Sequence, residues 1–216
     1  MLRSLLAGAA ALSLSACVSL LPKGEDLEAR LGLDAEYGSV VQAEPLGATL
    51  SVMDPRAEAV FATANVAVLT APLQYEYLAG AEWTDRAPLL LGRFLERRLA
   101  GTGAFDAVGD RVSLPVADYA LQTDLRAMNL DQTEGRVAKV AYGARLTNRR
   151  GETVGTRVFR ASVPVAGAGS GAVAQALNEA AAAVADETYA WMAPLIEADQ
   201  AEGRARDEAR AARRRS

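Results

Sequence analysis

A single cysteine closes the run Leu14-Ser15-Ala16-Cys17, and its thiol is the group in this chain best placed for covalent chemistry. A thiol here suits alkylation by a diacylglyceryl group. The small side chains of Ser15 and Ala16 suit a peptidase that cuts just before the modified residue, so that the mature chain begins at Cys17. Upstream stand Arg3 as a positive n-region and Leu5, Leu6, Ala7, Ala9, Ala10, Ala11, Leu12 and Leu14 as an apolar h-region. A helix from Ser4 to Ala16 would rise only about 20 Å, against a hydrocarbon core of roughly 30 Å. Residues 1–16 therefore read as a cleaved lipoprotein signal peptide rather than a transmembrane span.

Acylation makes Cys17 an anchor. Each buried methylene contributes about 0.8 kcal/mol, so one acyl chain holds a protein marginally while two or three together hold it almost permanently. No second cysteine exists to form a disulfide. Val18 and Ser19 follow the cysteine, and no Asp is present where one would resemble an inner-membrane retention signal. The expected address is the periplasmic face of the outer membrane.

Other chemistry is sparsely supplied. The chain has no His, which removes the usual proton shuttle near neutral pH and the commonest transition-metal ligand. Its only lysines are Lys23 and Lys139. An acid–base enzyme would have to use carboxylates such as Asp118 and Asp124, which an exposed strand face carries in any case. The chain is read as non-catalytic, with no cofactor and no metal. A formal charge of −4 argues against nucleic acid, which needs a clustered basic surface.

The pattern of apolar residues predicts an α+β domain, an antiparallel sheet of about four to six strands packed by two main helices. Residues 17–44, with Pro22, Gly24, Gly32 and Gly38, read as a flexible lipidated tether containing a short helix near Leu27 and Leu31. The folded domain is placed at 45–197. Ala48, Leu50 and Val52 alternate as a strand before Asp54-Pro55. Val66–Thr70 and Leu73–Leu78 read as two short strands or one bent strand. Thr84-Asp85 would cap a helix with Leu91, Phe94, Leu95 and Leu99 on one face and Gly103 just past its end. Phe105–Val108 is a short strand.

Asp118–Arg126 alternates cleanly, with Tyr119, Leu121, Thr123 and Leu125 facing a core. Val140–Leu146 and Val154–Val163 continue it as an antiparallel meander around the turn Asn148–Gly151. Ser170 would cap a long helix with its stripe at Val173, Leu177, Ala180, Val184, Thr188, Trp191 and Leu195, closing the domain near Pro194. Residues 198–216 carry Arg204, Arg206, Arg210 and Arg213–Arg215 and no apolar stripe. They read as a solvated helical extension or a disordered tail, with an acidic partner or anionic lipid as the alternative to a merely solubilising role.

Several of these segments resemble one family. Leu73-Gln74-Tyr75-Glu76-Tyr77-Leu78-Ala79-Gly80-Ala81-Glu82-Trp83 looks like the tyrosine-bearing strand and Ala-x-Trp helix entry of the ABC-type transport auxiliary lipoproteins, which include the PqiC-type proteins that work beside Mce-domain proteins. Leu95-Glu96-Arg97-Arg98-Leu99 followed by Gly103-Ala104-Phe105-Asp106-Ala107-Val108 is similar to that family's helix, glycine and Phe-x-x-Val strand. Ala117–Leu121, Asp124-Leu125-Arg126 and the Ala-rich helix ending at Trp191 also resemble it. Tyr37-Gly38-Ser39 departs from the Tyr-x-Leu strand with which the family opens.

The resemblance, which runs from Ala48 to Trp191, implies an auxiliary role in lipid transport between two membranes. The implied partners are an Mce-domain periplasmic protein with its permease and ATPase, and the ATP chemistry belongs to those subunits: no GxxxxGK[ST] loop occurs in this chain. The protein would then be a docking adaptor, with self-association into a homo-oligomer compatible with that role. Tyr75, Tyr77 and Trp83 are the candidate partner contacts, each with burial in the core as the competing reading. A lipoprotein that assembles an outer-membrane barrel is the alternative with the same anchor and fold.

Overall fold

The structure, a computed structural model, describes residues 28–133 and 135–215. Cys17 and the signal segment lie outside the described residues. Among the described residues the chain forms β1 (Ala29–Leu31), β2 (Thr49–Val52), β3 (Arg56–Ala57), β4 (Asn65–Ala71), β5 (Gln74–Trp83), α1 (Ala87–Gly101), β6 (Ala107–Gly109), β7 (Tyr119–Asp131), β8 (Val137–Asn148), β9 (Thr153–Pro164) and α2 (Gly169–Arg215).

All nine strands join one sheet with β7 as its spine. Along one edge, β7 pairs antiparallel with β8, and β8 pairs antiparallel with β9, as the alternation predicts. Along the other edge, β2, β3 and β4 follow one another, and each is parallel to β7. β6 flanks β2 in parallel, β5 returns antiparallel on β4, and β1 lies parallel to the end of β5. The α+β class holds, whereas the expected all-antiparallel sheet of four to six strands is corrected to a mixed sheet of nine. Parallel neighbours require a crossover of a dozen residues or more. Here the β4–β5 hairpin, α1 and β6 supply it between β2 and β7. Alternation reports which face a residue occupies and is silent on strand direction.

Both helices cover one sheet face. Tyr119, Leu121, Thr123 and Leu125 of β7 are buried beneath them; a bulge between Leu125 and Ala127 then shifts the phase, so Met128 and Leu130 continue the buried row. α1 buries Leu91, Phe94, Leu95 and Leu99, and each such side chain contributes about 1.5–3 kcal/mol by leaving water. Pro88 sits in its first turn, where a missing N–H leaves no bond unmade. The helix starts later than Thr84-Asp85 suggests: Asp85 instead accepts the Arg86 N–H at 2.7 Å and the Arg93 guanidinium at 3.0 Å. Gly103, at φ +70°, follows the C-cap as expected.

In α2 the stripe Val173, Leu177, Ala180, Val184 and Thr188 is fully buried, and Met192 and Ile196 extend it where Trp191 and Leu195 turn to the margin. Gly155 of β9 makes room there. A Cβ at this position would lie 2.7 Å from Leu195 Cδ1 and 2.9 Å from the Trp191 ring. Tyr142 Oη pairs with Thr188 Oγ1 at 2.7 Å, giving the buried phenol a partner, and burial holds its pKa well above the usual value. α2 does not stop near Pro194 or begin with a Ser170 cap; it runs from Gly169 through Arg215. Beyond Ile196 it remains tied to the domain by Asp199, which accepts from Tyr119 Oη and Asn148 Nδ2 at 3.0 Å each, and by Gln200 Nε2, which donates to the Leu46 carbonyl at 3.0 Å. The tail is thus the helical one of the two expected forms.

Residues 28–44, expected as a flexible tether with a short helix, instead pack on the domain. Ala29–Leu31 is a strand, Leu31 is buried, and Asp34 N–H donates to Asn178 Oδ1 at 2.7 Å. Arg98 secures the following stretch. Only 3% exposed, its guanidinium donates to both Asp186 carboxylate oxygens at 2.8 Å and to the carbonyls of Ala35, Tyr37 and Ser39 at 3.0, 3.3 and 2.8 Å. Tertiary contacts override the helix propensity of this segment.

Candidate docking surface

With α1 and α2 covering one face, the functional question falls on the other. Pairing register places Tyr75 with Leu69 and Asp131, and Tyr77 with Ala67 and Asn129, in rows on the face opposite the helices. Both tyrosines are exposed, at 40% and 47%, and the Tyr75 ring meets buried Phe61 edge-on at 5.5 Å. At the tip of the same hairpin, Leu73 is 98% exposed with φ +64°, a conformation that costs a non-glycine residue energy.

Trp83 belongs elsewhere. It is fully buried in the core, so it offers no exposed contact. Strict alternation along β5 would have set it on the tyrosine face. Gly80, at φ +70°, and the register shift between Ala67↔Tyr77 and Asn65↔Glu82 break that phase and turn the indole inward. Its Nε1–H meets no acceptor among the described residues.

Asp131 sits near the tyrosines and is the best-satisfied carboxylate of this face. Its side chain is 6% exposed and accepts from Lys139 Nζ at 2.6 Å, Thr133 Oγ1 at 2.6 Å and the Thr133 N–H at 2.8 Å. Burial pushes its pKa up, but these donors outweigh burial and hold it at about 2. A depressed folded pKa adds stability that is present above the unfolded value near 4 and is lost as pH falls through about 2. This corresponds to about 2 kcal/mol. Asp131→Asn is expected to be less stable than the parent at pH 7 and to lose less stability between pH 5 and pH 2; urea midpoints measured across that range check it, and parallel curves would contradict it.

The two carboxylates weighed for acid–base work are not brought together. Asp118 accepts from Thr49 N–H at 3.0 Å, Thr49 Oγ1 at 2.7 Å and Arg149 at 2.8 Å, and so ties the start of β7 to β2. Burial opposes its ionisation, but the Thr49 bonds and Arg149 leave its pKa lowered. Asp124 lies six residues farther on, about 20 Å at strand rise, beside Arg126 at 3.6 Å.

A family model for the ABC-type transport auxiliary lipoprotein component matches residues 32–188, a range that takes in the tyrosine hairpin and most of the N-terminal segment held by Arg98. The chain belongs to this family. The match starts thirteen residues ahead of Pro45, in the segment that packs on the domain. Among solved structures, a Xanthomonas campestris protein of the DUF330 family superposes with a TM-score of 0.65 at 22% identity, covering 80% of this chain and 95% of that one. An uncharacterized protein superposes with a TM-score of 0.60 at 15% identity, over 70% of this chain and 95% of the other. These likenesses carry the fold. A search of curated proteins gives no match. Membership makes the chain an auxiliary lipoprotein of ABC-type transport, and no helix among the described residues is long and apolar enough to cross a membrane.

Proposed function

We propose that this auxiliary lipoprotein is held by acylated Cys17 on the periplasmic face of the outer membrane and serves as a non-catalytic docking adaptor for an Mce-associated intermembrane lipid transport system. The observation that carries the reading is the order of parts: a lipoprotein signal ending at Cys17 stands directly ahead of a domain matched, from residue 32 onward, to transport auxiliary lipoproteins. Its partner is the Mce-domain protein that spans toward it, and the permease and ATPase supply the energy. The exposed Tyr75 and Tyr77 support a docking role, since aromatic side chains with a polar tip are favoured at interface hot spots.

Crosslinking in cells followed by affinity purification tests this directly. Recovery of an Mce-domain protein is expected, reduced when Tyr75 and Tyr77 are both changed to Ala. Recovery of an outer-membrane β-barrel alone would replace the adaptor with the barrel-assembly alternative.

A further inference from the structure

The face that carries the tyrosines also carries a group of arginines drawn from four strands. Arg56 of β3, Arg126 at the β7 bulge, Arg145 of β8 and Arg160 of β9 are all exposed. Arg145 shares its row with Gln122 and Thr156, and Arg160 shares its row with Ala141 and Ala127. Arg126 reaches across the sheet between them. Gly143 gives its guanidinium a floor, since a Cβ there would stand 2.9 Å from Nη2. Arg56, Arg126 and Arg145 line one open groove of about 690 Å³, together with Gln122, Thr156, Val158 and Met53.

On other parts of the surface Arg30 pairs with Glu82, Arg93 with Asp85, Arg149 with Asp118 and Arg150 with Glu152, and Arg157, which also lines the groove, pairs with Glu187. Arg56, Arg145 and Arg160 have no ion pair or hydrogen bond among the described residues, and Arg126 has only the Asp124 contact at 3.6 Å, with both side chains about half exposed. Asp54 and Asp124 are the carboxylates of the groove, so cations outnumber anions there in a chain whose net charge is −4. Guanidinium forks match carboxylates bidentately. Met53, Ala144 and Val158 place apolar surface between the arginines, and an open groove across several strands that mixes cations with apolar patches suits an extended polypeptide carrying both carboxylates and apolar side chains.

We infer that this face receives an acidic, extended segment of a protein partner, its carboxylates held by Arg56, Arg126 and Arg145 and its apolar side chains covered by Tyr75 and Tyr77. The inference rests on the adaptor reading for the existence of a partner and on charge complementarity for its chemistry.

The test uses the full chain in nonionic detergent with a fluorescein-labelled decaglutamate peptide, read by anisotropy at low salt and at 0.15 M salt. Binding is expected, weaker at the higher salt. The Arg56→Ala/Arg126→Ala/Arg145→Ala variant should lose at least about tenfold in affinity, with its thermal midpoint kept. Arg145→Glu alone should weaken binding, and deletion of residues 201–216 should leave it unchanged. Failure of the parent chain to bind the peptide, equal binding by the triple variant, or loss of binding on tail deletion would overturn the inference. So would arginine-dependent capture of phosphatidylglycerol vesicles in place of the peptide. Undiminished crosslinking of the triple variant to the Mce-domain protein would overturn the arginine face while leaving the adaptor role standing. Failure of the parent chain in that crosslinking removes the adaptor role and leaves peptide binding to decide the face by itself.

Discussion

Cys17→Ser is expected to move the protein from the membrane pellet to the soluble periplasmic fraction. On the proposed acylation of Cys17, the change removes the attachment point and with it every acyl chain. Two or three chains, each worth about 0.8 kcal/mol per buried methylene, separate practically permanent attachment from none. No helix among the described residues has the length and hydropathy to span a bilayer. Osmotic-shock fractionation gives the location, and mass spectrometry of the parent's N-terminal peptide gives the cause, as a fatty-acylated Cys17. A serine variant that still sediments with membranes would point to a second anchor, and a parent N-terminus free of fatty acid would end the lipoprotein reading of the leader.

Arg98→Ala should have the largest effect on stability of any change to a charged side chain. It leaves the Asp186 carboxylate without its cation and withdraws donors from the carbonyls of Ala35, Tyr37 and Ser39. Removing one partner of a buried pair costs roughly 3–5 kcal/mol. The Asp186 side chain is 28% exposed, so water compensates in part and the lower end of that range applies. Arg98→Lys keeps the charge but has no planar fork to serve several acceptors, and should recover only part of the loss. Urea unfolding measures the cost, and amide exchange locates it: protection should fall first in the N-terminal segment around residues 35–43, where Ala43 N–H donates to the Thr102 carbonyl. An unchanged midpoint would show that the guanidinium is dispensable. The mechanical consequence is that this side chain fixes the point where the N-terminal segment enters the domain.

Much of the fold was legible because one side of each element faces water. The β7–β8–β9 meander, the apolar stripes of α1 and α2 and the glycine stop after α1 all emerge where predicted, since a half-buried element must display its period. The departures have identifiable causes. Ala29-Arg30-Leu31 is too short to show a period, and its strand exists only because the end of β5 offers an edge to pair with. Burial of Trp83 follows from its place at a strand-to-helix junction, but the device that turns it off the tyrosine face, the break in phase at Gly80, shows only in the structure. Nothing in the local sequence marks Arg98 for burial, because the carbonyls and carboxylate that bury it come from segments about 60 residues before it and 88 residues after it. The arginine face was hidden for the same reason: Arg56, Arg126, Arg145 and Arg160 belong to four different strands, and only register makes them neighbours.

The amino-acid order alone determined the absence of histidine, the α+β class and which side of each long element turns inward. Those properties depend on residues near one another along the chain, where spacing and side-chain type suffice. Tertiary structure decided strand direction, the docking of residues 28–44 and which exposed side chains gather on one surface. Each of these rests on contacts between distant segments, and no local period encodes them.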